Sequence, residues 1–234
     1  MLNNILIKIV FIFFITCFNL YGQINSCRIT YGLIISDDDL LSTNKKMQTI
    51  LKEGQLGANK LLFELNANKD ESLFKLKEKI NDPDSEMAQM LTNATNIYYV
   101  HSKSDEKIKQ LNNHLGFYLI QYTNKTEWEL TNESKFIDSY LCFKATAKQV
   151  VKYSKATYTH PIIAWYCPSI PFNFGPIGYN GLPGLILELQ ERYAIYGAKK
   201  IDLKTENFII EKPNKGKKVT EDELSAILKS FVPN

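Results

Sequence analysis

Histidine and cysteine, the side chains that most often hold metals or act in catalysis, are few and widely spaced in this chain of 234 residues. The three histidines are His101, His114 and His160, and neither a His-x-x-x-His nor a Cys-x-x-Cys spacing occurs, which would bring two metal ligands together. A Gly-x-Ser-x-Gly nucleophile elbow and a glycine-rich phosphate loop are absent as well. The sequence therefore predicts no catalytic residue, no metal site and no cofactor.

An enzymatic role is the less favoured alternative, because most catalytic motifs of exported enzymes would be visible in the sequence. His160 and Tyr179 are the candidate residues for that alternative. A cluster of titratable groups with perturbed pKa values, gathered in one pocket, would support it.

The charge of the chain argues against nucleic-acid binding. Lysine and arginine together number 28 and aspartate and glutamate 25, so the net charge is only +3. Arg28 and Arg192 are the only arginines, although arginine is the residue that grips phosphates and bases in bidentate fashion. With 44% hydrophobic and 12% aromatic residues, we expect a folded globular protein with no nucleic-acid partner.

Residues 1–22 have the pattern of an export signal. A short polar stretch ending in Lys8 precedes an apolar run at residues 9–18, which is the length of a signal-peptide core and short for a membrane span. We expect cleavage after Gly22, with a retained anchor as the alternative. The mature chain, residues 23–234, is then one domain exported to the periplasm, the outer membrane or the extracellular side.

An exported chain meets an oxidising compartment, so its cysteines are candidates for disulfides. Cys17 leaves with the signal and Cys27, Cys142 and Cys167 remain, which is an odd number. If two of them pair, Cys27 is either a buried thiol at the start of the first strand or a lipid-attachment site, since residues 24–27 loosely resemble a lipobox.

Cys142 and Cys167 lie in two stretches that are rich in β-branched and aromatic residues. If these strands form a hairpin centred near Ser154 and Lys155, the two cysteines face each other and a cross-strand disulfide is geometrically reasonable. A turn displaced by one residue would place them on different faces of the sheet. We therefore expect a disulfide between Cys142 and Cys167 that depends on this register.

The elements that must position these residues are mostly strands. Residues 28–35 alternate so that Ile29, Tyr31, Leu33 and Ile35 share one face. Further strands are expected at residues 60–65, 72–76, 97–101, 107–111, 116–123, 127–131, 186–190, 193–201 and 208–210, in addition to the two cysteine strands. A short helix or a mobile excursion is expected at residues 40–53, and residues 82–85 are expected to start a short helix that reaches about Leu91.

The C-terminal segment has the pattern of an amphipathic helix. Thr220 and Glu223 form a capping box, and an apolar stripe follows at Leu224, Ile227, Leu228 and Phe231. Because turn signals separate the strands and no βαβ pattern occurs, we predict a mainly β (α+β) fold. We expect a curved antiparallel meander, half-barrel or clam-like, with the C-terminal helix packed on the sheet.

The segment from residue 165 to residue 190 is unusually rich in proline and glycine and carries interspersed aromatic residues. Proline fixes φ and glycine permits positive φ, so the segment can hold one specific path. Such a loop either packs over an open end of the core or presents a recognition surface. As ligand or partner contacts we predict Trp165, Phe172, Phe174 and Tyr179.

The hexapeptide Gly181-Leu182-Pro183-Gly184-Leu185-Ile186 resembles the motif that names the GLPGLI family of Bacteroidetes proteins. Similar surroundings are found at residues 140–145, 164–166 and 170–176, so the resemblance spans most of the mature chain. It implies an exported protein of about this size, and it supplies no catalytic residues that could be transferred.

A curved sheet leaves an apolar trough unless something fills it. We therefore predict a non-enzymatic periplasmic or cell-surface binding protein for a hydrophobic small molecule or an envelope component. The alternative is a protein–protein interaction module accessory to an outer-membrane transporter or secretion system, which would use the loop and an exposed strand edge by β-augmentation.

Overall fold

The computed structural model describes residues 24–37, 44–113, 116–122, 125–152, 157–207 and 209–230. Within them the strands are β1 (Ser26–Ile35), β2 (Leu62–Asn68), β3 (Glu71–Leu76), β4 (Ile97–His101), β5 (Glu106–Asn113), β6 (Gly116–Tyr122), β7 (Glu129–Ile137), β8 (Tyr140–Lys152), β9 (Thr157–Cys167), β10 (Leu185–Glu191), β11 (Ala194–Lys204) and β12 (Lys217–Val219). The helices are α1 (Lys45–Ala58), α2 (Pro83–Thr92) and α3 (Glu221–Ser230), with a 3₁₀ turn at Pro176–Gly178. The predicted signal and His114 lie outside the described residues.

The described strands form one curved sheet in the order β12-β6-β5-β4-β3-β2-β1-β11-β10-β9-β8-β7. The chain runs as a meander from β1 to β6, crosses to the opposite edge at β7, and returns as a second meander until β11 pairs with β1. Neighbours are antiparallel except β12, which pairs in parallel with β6. The predicted mainly β, curved meander with a C-terminal helix is confirmed.

The alternation predicted for the first strand is confirmed in β1. Ile29, Tyr31, Leu33 and Ile35 are all buried. Tyr31 also donates its hydroxyl proton to the carbonyl of Ile186 at 2.6 Å, which satisfies the polar end of a buried ring. Beside it Phe63 and Phe74 stack at 5.4 Å, and Tyr196 meets both rings edge-on. This aromatic core holds the two meanders together.

The register predicted for the cysteine hairpin is confirmed. Phe143 lies opposite Tyr166 and Lys152 opposite Thr157, so the hairpin is centred between residues 154 and 155, which themselves lie outside the described residues. The same register sets Cys142 against Cys167 at the end of the ladder.

The predicted disulfide is nevertheless wrong for this structure, because Cys27, Cys142 and Cys167 are all free and fully buried thiols. Cys142 and Cys167 hydrogen-bond to each other, and Cys167 Sγ also lies 3.1 Å from the hydroxyl of Ser169. The hydrogen bond to Cys167, followed by burial, raises the pKa of Cys142. Cys27 is likewise fully buried in β1, and burial raises its pKa to about 12.

The C-terminal part of the chain departs from prediction at one strand. Residues 209 and 210 are not in a strand, and residue 208 lies outside the described residues. The edge beside β6 is taken by Lys217–Val219 instead, a stretch too short and too basic to show an alternation. In the described chain no helix is long and apolar enough to cross a membrane.

Each helix begins at a capping residue. The helix expected over residues 40–53 is observed as α1 at Lys45–Ala58, capped by Asn44, and residues 40–43 lie outside the described residues. The side chain of Asp82 accepts the backbone N–H of Ser85 and caps α2. Thr220 and Glu223 exchange hydrogen bonds at 3.2 and 2.8 Å, which confirms the capping box of α3. Helix α3 lies against β6, with Leu224 and Ile227 half-buried, while Phe231 lies outside the described residues.

Candidate functional site

The proline- and glycine-rich loop between β9 and β10 folds back on itself and onto the sheet. The N–H of Gly181 donates to the carbonyl of Asn173 at 2.9 Å, and the N–H of Ile186 donates to the carbonyl of Phe174 at 3.0 Å. Gly178 has φ of +81° and lies against two tyrosines of the sheet, where a Cβ would overlap the hydroxyl of Tyr122. The loop therefore occupies the inside of the curve.

Two of the predicted contact residues are part of the core. Phe172 is 2% exposed and Phe174 is fully buried, and Leu182 packs in a neighbouring buried cluster. The expectation that Phe172 and Phe174 contact a ligand is therefore corrected: their side chains fill the interior of the sheet. The apolar trough expected from the sequence is occupied by the chain itself, because a segment rigid enough to present aromatics is also rigid enough to bury them.

The hexapeptide at residues 181–186 is the return of this loop into β10. Leu182, Leu185 and Ile186 are buried, while Pro183 is exposed. Gly184 has φ of +150°, and a Cβ there would overlap the backbone of Cys167. The motif thus serves packing and chain direction: its apolar residues anchor the loop, and its second glycine allows close approach to β9.

Tyr179 is the predicted contact residue that the loop does present. It is half-buried, and its hydroxyl donates to Glu191 Oε1 at 2.9 Å. Burial raises the pKa of the Glu191 carboxyl, although hydrogen bonds from Tyr179 and Gln149 and the charges of Lys109 and His160 oppose that change. Burial and the neighbouring Glu191 raise the pKa of Tyr179 as well.

The strand registers explain why these groups meet. Glu191, the last residue of β10, lies opposite Ile162 of β9, and His160 is two residues away on the same face. Gln149 of β8 lies opposite His160. Three neighbouring strands thus bring a carboxyl, an imidazole and an amide to one end of one face.

The first meander, β1 to β6, supplies the remaining groups from the other side of the curved sheet. Tyr98 of β4 lies opposite Lys109 of β5, whose Nζ is 5.7 Å from the centre of the Tyr98 ring. Tyr122 of β6 lies opposite Lys107, and its hydroxyl lies beside Gly178 of the loop. We call the following half-buried residues the Glu191 cluster: Tyr98, Lys109, Tyr122, Gln149, His160, Tyr179 and Glu191.

Trp128 closes the cluster on the loop side. Its indole N–H donates to the carbonyl of Asn180 at 2.9 Å, and its ring centre lies 5.9 Å from that of Tyr179 at an interplanar angle of 57°. The two rings are therefore tilted against each other, and the hydrogen bond to Asn180 holds Trp128 against the loop.

Trp165 belongs to a different surface. It neighbours Ala164, which shares the face of Ile162 and Glu191, so Trp165 points to the opposite face of β9. There Lys135 Nζ lies 4.4 Å from the ring centre and also 2.7 Å from Glu188 Oε1. The structure separates Trp165 from Tyr179, although the sequence placed both in one set.

Sequence reasoning missed most of the Glu191 cluster. Of its members it named only His160 and Tyr179, both as candidates for an enzymatic role, and Tyr179 also as a contact. Glu191 ends an apolar strand, where a charged residue normally marks the turn, and Tyr98 and Lys109 look like ordinary alternation. No local signal could have identified them, because the cluster exists only after two meanders curve toward each other.

The cluster brings several hydrogen-bonding groups together. Glu191 supplies a carboxyl group, and the charge of a second carboxylate, Glu221, acts on Tyr122. Among the described residues no group of three or more His, Cys, Asp or Glu could hold a metal ion. The geometry offers donors and acceptors around a recessed carboxyl beside aromatic rings.

In a comparison with protein families, residues 152–188 match a model described as a protein of unknown function (Porph_ging). The matched part runs from the end of β8 through β9 and the loop into β10, and it includes the hexapeptide. A comparison with curated proteins finds no match.

Two solved structures of PNGF-II, in space groups P21 and C2, are similar in fold. They superpose with TM-scores of 0.55 and 0.51 at 15% and 16% sequence identity, over 88% and 86% of this chain. These alignments cover 33% and 32% of the PNGF-II chains, so this protein spans about a third of their length. At this identity the likeness shows a shared fold. The family match is limited to residues 152–188, and the two superpositions show the fold alone.

Proposed function

We propose that the protein is an exported, non-enzymatic binding protein of the cell envelope that takes its ligand at the Glu191 cluster. The observation that carries this proposal is the convergence of polar groups from three strands and the loop on the half-buried Glu191. The packed interior disfavours the hydrophobic-ligand version, since Phe172 and Phe174 occupy the space such a ligand would need. An envelope component bound at the cluster is the version that the geometry supports.

Convergence of His160 and Tyr179 is also the feature expected of the enzymatic alternative. Binding is favoured because Tyr179 and Gln149 already hydrogen-bond Glu191 and hold its carboxyl in place. An acid or base held in this way orients a ligand without needing to exchange a proton with it.

Native mass spectrometry of residues 23–234, exported to the periplasm and purified without detergent, tests the proposal. We expect an adduct that is released on denaturation, that is lost from Glu191→Gln and Tyr179→Phe, and that survives in Glu188→Gln. Glu188 is a matched control because it lies on the opposite face of the same strand, against Lys135. An unliganded mass for the exported wild-type chain would contradict the proposal.

A second candidate is the interaction module, which the free edge of β7 favours. Strand β7 pairs only with β8 among the described strands, so its outer backbone groups can accept another strand. Phe136 is 70% exposed there and lies opposite Leu141, which is 41% exposed. A stoichiometric envelope protein captured by the wild type and lost with Phe136→Glu would support this function, and equal capture by both would contradict it.

A further inference from the structure

We infer that the ligand of the Glu191 cluster is an uncharged saccharide, recognised by its hydroxyl groups. The inference rests on the proposed function for the location of the site and adds the chemical class of the ligand.

The hydrogen-bonding inventory is mixed. The Glu191 carboxylate only accepts, Lys109 only donates, and the amide of Gln149, the imidazole of His160 and the phenols can do both. A ligand that satisfies such a set must donate and accept from closely spaced atoms, as neighbouring hydroxyl groups on a sugar ring do. An apolar ligand would shield Glu191 from water and offer it no hydrogen bond. Each polar atom left unpaired in this way costs free energy.

Charges of both signs lie at the cluster, and together they disfavour a strongly ionic ligand. A cationic ligand drawn to Glu191 would meet Lys109, whose charge acts on that carboxyl, and Lys107 on the same strand. An anionic ligand drawn to the lysines would face the Glu191 carboxyl and, beside Tyr122, the negative charge of Glu221. A neutral ligand meets neither penalty.

The aromatic rings supply the apolar part of the recognition. Trp128 and Tyr179 stand at an angle of 57°, and both keep part of their surface in solvent. A sugar ring has polar edges and faces of C–H groups, so one face can rest on such a ring while its edge reaches Glu191. The hydrogen bond from Tyr179 to Glu191 fixes the distance between the aromatic surface and the carboxyl.

The test uses the exported chain of residues 23–234 on an array of neutral, acidic and amino-sugar oligosaccharides, followed by calorimetry with the best soluble ligand. We expect neutral oligosaccharides to bind and Glu191→Gln to weaken them by roughly tenfold or more, the effect of one hydrogen bond to a charged group. Tyr179→Phe should weaken binding less, and Glu188→Gln should bind like the wild type. Thermal melts of all three variants identify any loss that comes from unfolding.

The outcomes separate this inference from the proposed function. Binding confined to acidic or amino sugars, equal binding by wild type and Glu191→Gln, or no binding on the array would overturn the saccharide class. If no saccharide on the array binds while a non-carbohydrate adduct depends on Glu191, the binding function stands and the saccharide class is wrong. If a neutral saccharide is bound and cleaved, the ligand class stands and the non-enzymatic assignment falls.

Discussion

Phe174 and Tyr179 lie five residues apart in the same rigid loop, and sequence reasoning treats them alike, yet the fold uses them in opposite ways. Phe174 is fully buried in the aromatic core, whereas Tyr179 stays half-buried with its hydroxyl on Glu191. A phenol can be placed at a boundary because one end of it is polar, while a phenyl ring gains most from complete burial. The loop therefore does both things that such a segment can do: it packs the core and it presents a polar aromatic group.

Substitution of Phe174 should have the largest effect, and that effect is on stability. Phe174→Ala leaves a cavity in a packed interior and should lower the free energy of unfolding by about 3–5 kcal/mol, measured by chemical denaturation. Phe136→Ala is the control, because that ring is mostly exposed and its loss should change stability by no more than about 0.5 kcal/mol. Equal effects of the two substitutions would show that the loop does not pack the interior.

A smaller effect is expected at Tyr179. Tyr179→Phe keeps the ring and removes only the hydrogen bond to Glu191, so it should cost about 1 kcal/mol of stability in the same denaturation assay. A loss as large as that of Phe174→Ala would place Tyr179 in the core instead of at the boundary.

The pH dependence of stability should identify the contribution of Glu191. Burial raises its pKa in the folded chain, so the folded state holds this proton more tightly than the unfolded state does. Stability therefore falls as pH rises from the unfolded pKa of the carboxyl through the raised folded pKa. Denaturation midpoints measured from pH 4 to pH 8 should show this fall in the wild type and a weaker one in Glu191→Gln. The same slope in both proteins would contradict the assignment.

The smallest effect is expected on the opposite face of β9, where Lys135 covers Trp165. Lys135→Met removes the contact with the ring and the ion pair with Glu188, both of which are partly solvated, and should cost about 0.5–1 kcal/mol. Ligand binding at the Glu191 cluster should not change in calorimetry. A binding defect in this variant would show that the surface around Trp165 and the Glu191 cluster are coupled, which would contradict their separation in the structure.

Prediction from sequence succeeded where the signal is local and periodic. The alternation of residues 28–35 and the capping box at Thr220 are properties of neighbouring residues, and both are confirmed in β1 and α3. The centre of the cysteine hairpin is also confirmed, since β-branched and aromatic residues mark both strands and leave few turns that fit. Those same strands did not reveal that the thiols would remain unbonded in this structure.

The prediction failed where the answer depended on residues distant in sequence. The short strand β12 has no alternation of its own and exists because the edge of β6 accepts it in parallel. Burial of Phe172 and Phe174 depends on the sheet curving around the loop, which no pattern within residues 165–190 records.

The sequence by itself determined a mainly β meander, its hairpin register, its capped C-terminal helix and a loop able to hold one path. These follow from side-chain periodicity and from the φ angles open to proline and glycine, which act over a few residues. Only the tertiary structure decided that Glu191 would lie against Tyr179, Gln149 and the charges of Lys109 and His160. Such a cluster depends on how far the sheet curves, and that curvature is the summed result of packing across the whole core.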